Sequence, residues 1–232
     1  MKRIGLIGGM TWESTLEYYR IINERIKADL GGFHSGRILM DSLDFDEIEK
    51  CQSRGAWDES ADILADSAER LEKAGADLLL ICTNTMHKVA DAVAARVRVP
   101  LLHIVDVTAE RILRAGLKTV GLLGTRFTME QDFYKGRLEE KFGLTALVPD
   151  AEGRSVVDGV IYNELTFGII SPESRRKYVR TIEGLAERGA EGVILGCTEI
   201  PLLVRQEDVR IPVFDTTRIH AEAAVEAALR EN

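Results

Sequence analysis

The stretch Gly189-Ala190-Glu191-Gly192-Val193-Ile194-Leu195-Gly196-Cys197-Thr198-Glu199-Ile200 decides the fold of this 232-residue chain. Its apolar centre is typical of a strand that is buried on both faces of a parallel sheet. Ligands of open α/β sheets collect at the carboxyl ends of such strands, which is where Cys197 stands. A cysteine is more often a small core residue. The neighbours Gly196, Thr198 and Glu199 are not core residues, and they favour a reactive thiol.

The overall composition is that of a globular protein, with 45% hydrophobic and 29% charged residues. The apolar runs are too short to cross a bilayer, and the N-terminus lacks a signal-peptide pattern, so we predict a cytoplasmic protein without a membrane partner. The formal charge of −8 and the scattered lysines and arginines argue against a nucleic-acid partner. Three irregularly spaced cysteines predict neither a disulfide framework nor a metal site.

The chain begins with a predicted strand, residues 3–8, and a glycine turn. Because no Gly-x-Gly-x-x-Gly pattern is present, Gly8 and Gly9 are interpreted as letting a small ligand approach the backbone. A helix follows, and a second strand is predicted within 36–43. The buried face of that helix is predicted to hold Thr15, Tyr19, Ile22 and Ile26.

Residues 44–57 are interpreted as a polar connection that carries Gln52 and Arg54, either as binding groups or as an ordinary solvated loop. An amphipathic helix is predicted over 58–74. A third strand, residues 77–81, ends in the polar cluster 82–87, where a parallel strand delivers ligand-binding groups. A short fourth strand begins near Pro100, because a missing N–H is tolerated at a strand start.

The second half of the chain repeats the first. An offset of 114 residues carries Gly75 onto Gly189 and Thr83 onto Cys197. We therefore predict an α/β fold of two Rossmann-like, flavodoxin-like lobes with parallel four-stranded sheets, related by pseudo-twofold symmetry. The active site is expected in the cleft between them. The predicted domains are 1–105 plus 216–232 for the first lobe and 106–215 for the second.

Four motifs together resemble the aspartate/glutamate racemase superfamily, and the resemblance covers essentially the whole chain. They are Gly8-Gly9-Met10, Asn84-Thr85-Met86-His87, Gly124-Thr125 and Gly196-Cys197-Thr198-Glu199. The resemblance implies a cofactor-independent amino-acid racemase, with no pyridoxal phosphate, that acts on aspartate or glutamate. A homodimer is the default expectation for such an enzyme.

The sequence departs from this superfamily at one catalytic position. The family pattern has a cysteine directly before Asn-Thr-x-His, whereas this chain has Thr83 there and Cys82 one residue earlier. A shift of one residue at a strand end turns a side chain to the other face, so Cys82 is not expected to substitute. The resemblance implies that Cys197 removes the Cα proton of an L amino acid. Thr83, on the opposite face, is only a weak proton donor, and we therefore predict selectivity for L-aspartate and L-glutamate.

The remaining candidates are assigned by chemistry and by the resemblance. Charge that develops on the α-carboxylate requires hydrogen-bond donors; these are predicted to be Thr83, Asn84, Thr85 and Thr198. Glu199 is expected to accept a hydrogen bond from the substrate ammonium group or to poise Cys197 for proton transfer. The side-chain end of the substrate is assigned to Gly9, Met10, Gln52, Thr125 and Thr128. Arg54 competes with Gln52 for a distal carboxylate, and His87 is interpreted as a structural hydrogen-bonding residue.

Two other classes of function fit the same sequence. A site with a single cysteine also suits a decarboxylase or isomerase of a small dicarboxylate. The loss of one catalytic thiol is also compatible with a non-catalytic protein that binds an acidic amino acid. Incorporation of solvent deuterium at Cα separates these possibilities, because only an enzyme that removes this proton exchanges it.

Overall fold

The structure, a computed structural model, describes residues 1–230. The chain divides into two compact units, Met1–Ile104 with the C-terminal segment from Thr217, and Val105–Thr216. Each unit contains a four-stranded parallel sheet flanked by helices, which confirms the predicted α/β class with two Rossmann-like lobes. The exact domain boundaries, 1–105 plus 216–232 and 106–215, stay a prediction, and residues 231–232 lie outside the described chain. Over residues 1–230, no helix is both long and apolar enough to span a membrane.

The elements follow one another in a regular alternation. The strands are β1 (Ile4–Gly8), β2 (Ile38–Ser42), β3 (Leu78–Ile81), β4 (Leu101–Leu102), β5 (Thr119–Gly124), β6 (Thr145–Leu147), β7 (Gly192–Gly196) and β8 (Val213–Asp215). The α-helices are α1 (Trp12–Leu30), α2 (Phe45–Arg54), α3 (Trp57–Lys73), α4 (Ala90–Ala94), α5 (Ile104–Arg114), α6 (Arg126–Glu130), α7 (Asp132–Phe142), α8 (Ala151–Asn163), α9 (Pro172–Glu187), α10 (Ile200–Leu203) and α11 (Thr216–Leu229). Short 3₁₀ helices cover Thr85–Val89, Leu165–Phe167 and Gln206–Asp208.

The two sheets have the same topology. Their strand orders are β2-β1-β3-β4 and β6-β5-β7-β8, and every pairing is parallel. The central strands β1, β3, β5 and β7 are almost entirely buried, as expected where helices cover both faces. Ile7 pairs with Ile81 in the first sheet, and Gly124 pairs with Gly196 in the second. In each unit, therefore, two neighbouring strands end together and release their following turns at one edge.

The alternation of side chains along β3 and β7 sets the orientation of the residues that follow. Leu80 of β3 and Cys82, which follows this strand, pack in the core that includes α1 and α11, whereas Leu79 and Ile81 pack in the core that includes α3. Val193 and Leu195 of β7 and Cys197, which follows it, pack together with residues of α8 and α9. Each fully buried aliphatic side chain contributes about 1.5–3 kcal/mol to stability.

The segment predicted as a polar connection, 44–57, is a helix, and that prediction is wrong. Asp44 accepts a hydrogen bond from the Asp46 amide at the start of α2, and Gly55 ends this helix with φ 70°. A capping aspartate and a left-handed glycine are ordinary helix boundaries. The segment looks polar because only one face of α2 is buried, at Ile48, Cys51 and Gln52.

One interpretation of the N-terminal region also needs correction. Tyr18, not Tyr19, joins the buried face of α1, and Tyr19 is 49% exposed. A Cβ on Gly8 would lie 2.5 Å from Thr15 Cγ2, and one on Gly9, at φ +85°, would collide with the Leu43 backbone. Both positions therefore require glycine for packing, and the interpretation that they let a small ligand approach the backbone stays a prediction.

Candidate active site

The turn after β7 holds a thiol against a carboxylate. Cys197 Sγ donates a hydrogen bond to Glu199 Oε2 at 2.9 Å, and the Thr198 hydroxyl donates to the same oxygen at 2.9 Å. All three residues are buried, with exposed fractions of 8% for Cys197 and 4% for Glu199. The turn therefore places the proton of the thiol in direct contact with a base.

This environment raises the pKa of the Cys197 thiol well above its usual range. Burial is the largest cause, and the negative charge of Glu199 and the hydrogen bond to it add to it. Both effects disfavour a thiolate. Removal of a Cα proton by Cys197 therefore requires a group that first accepts the proton of the thiol.

Thr125 and Thr128 lie at the end of the neighbouring strand in the same unit. Thr125 caps α6, accepting from the Thr128 amide at 3.3 Å, and the two hydroxyls are also 3.3 Å apart. A Cβ on Gly196 would lie 3.2 Å from Thr128 Cγ2. The structure thus brings both predicted threonines close to the turn that carries Cys197.

Two residues of this edge were missed from the sequence. Asp158, from α8, accepts from the Arg126 amide at 2.7 Å, and its charge contributes to the raised pKa of Cys197. Tyr178, from α9, is fully buried and donates to the Val157 carbonyl at 2.7 Å. Burial raises the pKa of Tyr178 well above its usual value, and Cys197 adds to the shift. Both residues lie inside helices far from Cys197 in sequence, and no motif marks them.

The turn after β3 is the equivalent turn of the first unit. His87 Nδ1 donates to the Thr83 carbonyl at 2.8 Å, and the His87 amide donates to the Asn84 carbonyl at 3.0 Å. Asn84 and Thr85 are buried, and Thr83 is half-buried. Cys82 is completely buried on the core face of α1, where burial raises the pKa of its thiol. The strand alternation thus separates Cys82 from Thr83, as the parity argument predicts.

The structure also distinguishes Gln52 from Arg54. Gln52 is buried, and its side-chain amide lies 3.1 Å from Met86 Sδ, next to the Asn84-Thr85 turn. Arg54 is exposed and pairs with Glu59 at 3.3 Å. Of the other predicted residues in this unit, Met10 has its side chain in the core beside α3, and the Gly9 amide donates to Thr15 Oγ1 at 2.9 Å.

A surface cavity of about 470 Å3 lies elsewhere in the second unit, between α8 and α9. Its lining includes Asp150, Lys177 and Arg188, and none of the predicted site residues. These charges are already engaged, since Asp150 caps α8, Lys177 pairs with Glu173 and Arg188 donates to a backbone carbonyl. Thr83, Thr125 and Cys197, which the sequence marks, lie instead just after the strands β3, β5 and β7. Within residues 1–230, no group of three or more histidine, cysteine or acidic side chains is arranged to hold a metal ion.

The structure has two parallel sheets of identical topology, with a buried thiol after the central strand β7 and a Thr-Asn-Thr turn after the equivalent strand β3. These features define the class of two-lobed α/β proteins to which racemases belong. The family described as Asp/Glu/Hydantoin racemase matches residues 7–224. The chain belongs to this family.

Similar structures and curated relatives agree with that assignment. A Yersinia pestis protein, whose own Asp/Glu racemase description is provisional, is 53% identical over 99% of this chain and 100% of its own, with a TM-score of 0.93. An aspartate racemase homologue from Pyrococcus horikoshii is 41% identical over 99% and 100% of the two chains, with a TM-score of 0.87. The broad specificity amino-acid racemase of Bacillus subtilis is 27% identical over 74% of each chain.

Proposed function

We propose that the protein is a cofactor-independent racemase of acidic amino acids, L-aspartate or L-glutamate, and that it is selective for the L enantiomer. Cys197 removes the Cα proton, and Thr83 acts on the opposite face of the substrate. The observation that carries the proposal is the contact between the Cys197 thiol and Glu199 Oε2 at the carboxyl end of a central strand. Membership of the family and the similarity to named racemases support the class of reaction.

The raised pKa of Cys197 determines how the reaction begins. The thiol proton passes from Sγ to Glu199 Oε2, which leaves a thiolate beside a neutral carboxyl group. The thiolate then takes the Cα proton, and the electron pair of that C–H bond is delocalised into the α-carboxylate. Return of the proton from Sγ restores the L form. Protonation from the face of Thr83, by a water molecule or by the hydroxyl, which then regains a proton from water, gives the D form. Glu199 releases its proton to solvent, and Sγ keeps the proton taken from Cα, which restores the starting state.

Substrate binding is assigned to groups around the two turns. The hydroxyls and backbone amides of Thr83, Asn84, Thr85 and Thr198 hold the α-carboxylate as charge builds on it. Gly9, Met10, Thr125 and Thr128 surround the side-chain end in this proposal. Gln52 is favoured over Arg54 for the distal carboxylate, because Gln52 adjoins the Asn84-Thr85 turn and Arg54 is engaged with Glu59. We also propose a cytoplasmic homodimer.

The test is incorporation of deuterium at Cα in D2O, which is measured in NMR as loss of the Cα proton signal. The wild type is expected to exchange L-aspartate or L-glutamate, and Cys197→Ala is expected to lose this exchange by about 10²–10⁴-fold because the base is removed. Cys82→Ala is the matched control: it removes a buried cysteine from the other core face and should keep the exchange rate. Full exchange by Cys197→Ala would exclude Cys197 as the base.

The raised pKa of the Cys197 thiol supports one alternative, a protein that binds an acidic amino acid without turning it over. Titration calorimetry on the same preparation decides between the two. Binding of L-glutamate or L-aspartate without any Cα exchange would establish the binding protein and end the enzymatic proposal.

A further inference from the structure

The side chain of His87 joins two backbone groups that lie far apart in sequence. Nδ1 lies 2.8 Å from the Thr83 carbonyl oxygen, and Nε2 lies 3.1 Å from the Ile104 amide nitrogen. A carbonyl only accepts and an amide only donates, so the geometry fixes a neutral His87 with its proton on Nδ1. The side chain is 3% exposed, and both of its ring nitrogens are used.

His87 lies in a cluster of rings that are themselves held in place. His220 Nε2 donates to the Leu102 carbonyl at 2.9 Å, and the Tyr18 hydroxyl donates to His220 Nδ1 at 2.9 Å. The ring of His103 is centred 4.7 Å from that of His87, and the ring of His220 is centred 5.7 Å away. The tautomers of His87 and His220 are both set by backbone carbonyls. His87 and His220 are therefore neutral rings with hydrogen bonds at both nitrogens, and they lie beside the turn that follows β3.

In the second unit, the side chain at the position equivalent to His87 cannot supply such a hydrogen bond. The offset of 114 residues carries His87 onto Pro201, whose side chain cannot donate a hydrogen bond. The same offset carries Thr83 onto Cys197. The additional hold is thus found on the turn whose reactive group is the weaker proton donor.

We propose that His87 is a positioning residue for Thr83, and this inference rests on the proposed racemase function. The carbonyl carbon of Thr83 is bonded to its own Cα and to the Asn84 nitrogen. A bond to this oxygen therefore fixes the Thr83–Asn84 peptide plane, and with it the directions of the Thr83 side chain and the Asn84 N–H. Donors held in place before the reaction need no reorganisation during it. A displacement of about 1 Å in such a group costs about 10²-fold in rate.

The role assigned to Thr83 gives this inference a distinctive signature. Exchange of the Cα proton of an L amino acid needs Cys197, Glu199 and the donors to the α-carboxylate, whereas conversion of L to D also needs proton delivery from the face of Thr83. Loss of the hydrogen bond from His87 to Thr83 therefore lowers conversion by a larger factor than exchange. A variant that merely loosens the fold lowers both rates by the same factor.

The experiment compares His87→Phe with His87→Gln in the full chain, with the two rates measured in D2O and by chiral chromatography. Phe fills the volume without hydrogen bonds, and Gln retains one N–H donor and one oxygen acceptor without titrating. His87→Phe is expected to lower the ratio of conversion to exchange by about 10- to 100-fold. His87→Gln is expected to keep the ratio within about 3-fold of the wild type. His103→Phe, a ring change in the same cluster, controls for general disruption.

Two results would overturn the inference: an equal loss of both rates in His87→Phe, or a ratio that His87→Phe leaves unchanged. If His87→Phe does not fold, His87→Asn replaces it under the same two criteria, because its shorter amide cannot span from the Thr83 carbonyl to the Ile104 amide. If the wild type shows neither exchange nor conversion, the proposed function itself fails and the inference falls with it.

Discussion

The turns after β3 and β7 occupy equivalent places in two sheets of the same strand order, yet their chemical surroundings are opposite. The turn after β3 is held by a neutral histidine that binds the Thr83 carbonyl. The turn after β7 holds a carboxylate against the Cys197 thiol. The histidines of the chain are also unequally distributed between the units. The first unit contains all four, namely His34, His87, His103 and His220.

This difference shows that the repeated fold determines the positions of the two residues, whereas the neighbouring side chains determine their chemical properties. The shared topology fixes where residues 83 and 197 emerge, because both follow central strands in the same alternation. The local partners decide what each residue can do. In the proposed reaction, the turn after β7 accepts and returns the Cα proton, and the turn after β3 is held by the hydrogen bond from His87.

The largest expected effect comes from removing the base beside the thiol. Glu199→Gln keeps the shape of the side chain but cannot accept the thiol proton, so Cα exchange of the L substrate is expected to fall by about 10²–10⁴-fold. The rate is measured by loss of the Cα proton signal in D2O.

Asp158→Asn is the matched control for this variant. It also removes a negative charge that acts on Cys197, but Asp158 is bonded to the Arg126 amide instead of the thiol. We expect less than about a 10-fold change in exchange for this control. A faster rate in Glu199→Gln would show that the carboxylate only opposes ionisation of the thiol.

A second variant makes the two turns alike. Thr83→Cys places a thiol on the face assigned to the D enantiomer, and a thiol is a far better acid and base than a hydroxyl near neutral pH. Deuterium exchange of D-aspartate or D-glutamate should rise by about 10²-fold over the wild type. Thr83→Ser, which keeps a hydroxyl, should show no such rise. An unchanged preference for the L form in Thr83→Cys would remove this account of the stereochemistry.

The smallest expected effect concerns stability in acid. Burial, with a smaller contribution from His87, lowers the pKa of His220 to about 3. The unfolded chain, with a histidine pKa of about 6.5, binds the proton first. The contribution of His220 is therefore complete above about pH 6.5 and is lost as the pH falls toward 3, by up to about 1.4 kcal/mol per pH unit.

Denaturant unfolding at about pH 7.5 and 5.5 measures this dependence, and His220→Gln should flatten it because the amide does not titrate. The exposed His34→Gln is the control and should leave the slope unchanged. Amide hydrogen exchange in acid should show protection lost first in the first unit. Equal loss in both units would place the acid sensitivity outside the histidine cluster.

Much of the fold can be predicted from the sequence because local patterns carry it. Buried parallel strands such as β1 and β7 are continuous apolar runs, and the internal repeat locates their equivalents. The helix α2 was missed because a single buried face makes a short helix look like a polar loop. Tyr18 and Tyr19 are adjacent, and only packing against a defined core decides which of them is buried.

The residues of the candidate site likewise fall into those that local sequence patterns mark and those that only packing brings together. The motifs mark Thr83, Asn84, Cys197 and Glu199 because these residues follow predicted strands directly. Asp158 and Tyr178 cannot be found in this way, since they reach the thiol only when α8 and α9 pack on the second sheet. The contact that distinguishes Gln52 from Arg54 likewise depends on how α2 lies against Met86.

By itself, the sequence determined that this chain is a repeated α/β protein with one cysteine and one threonine at equivalent strand ends. Only the tertiary structure decided the state of those two residues. Burial and hydrogen bonding set the pKa of a thiol, and a hydrogen bond to the carbonyl oxygen orients a peptide plane. These surroundings depend on residues that only folding brings together. Burial and the nearby Glu199 raise the pKa of the Cys197 thiol, and His87 joins the Thr83 carbonyl to the Ile104 amide.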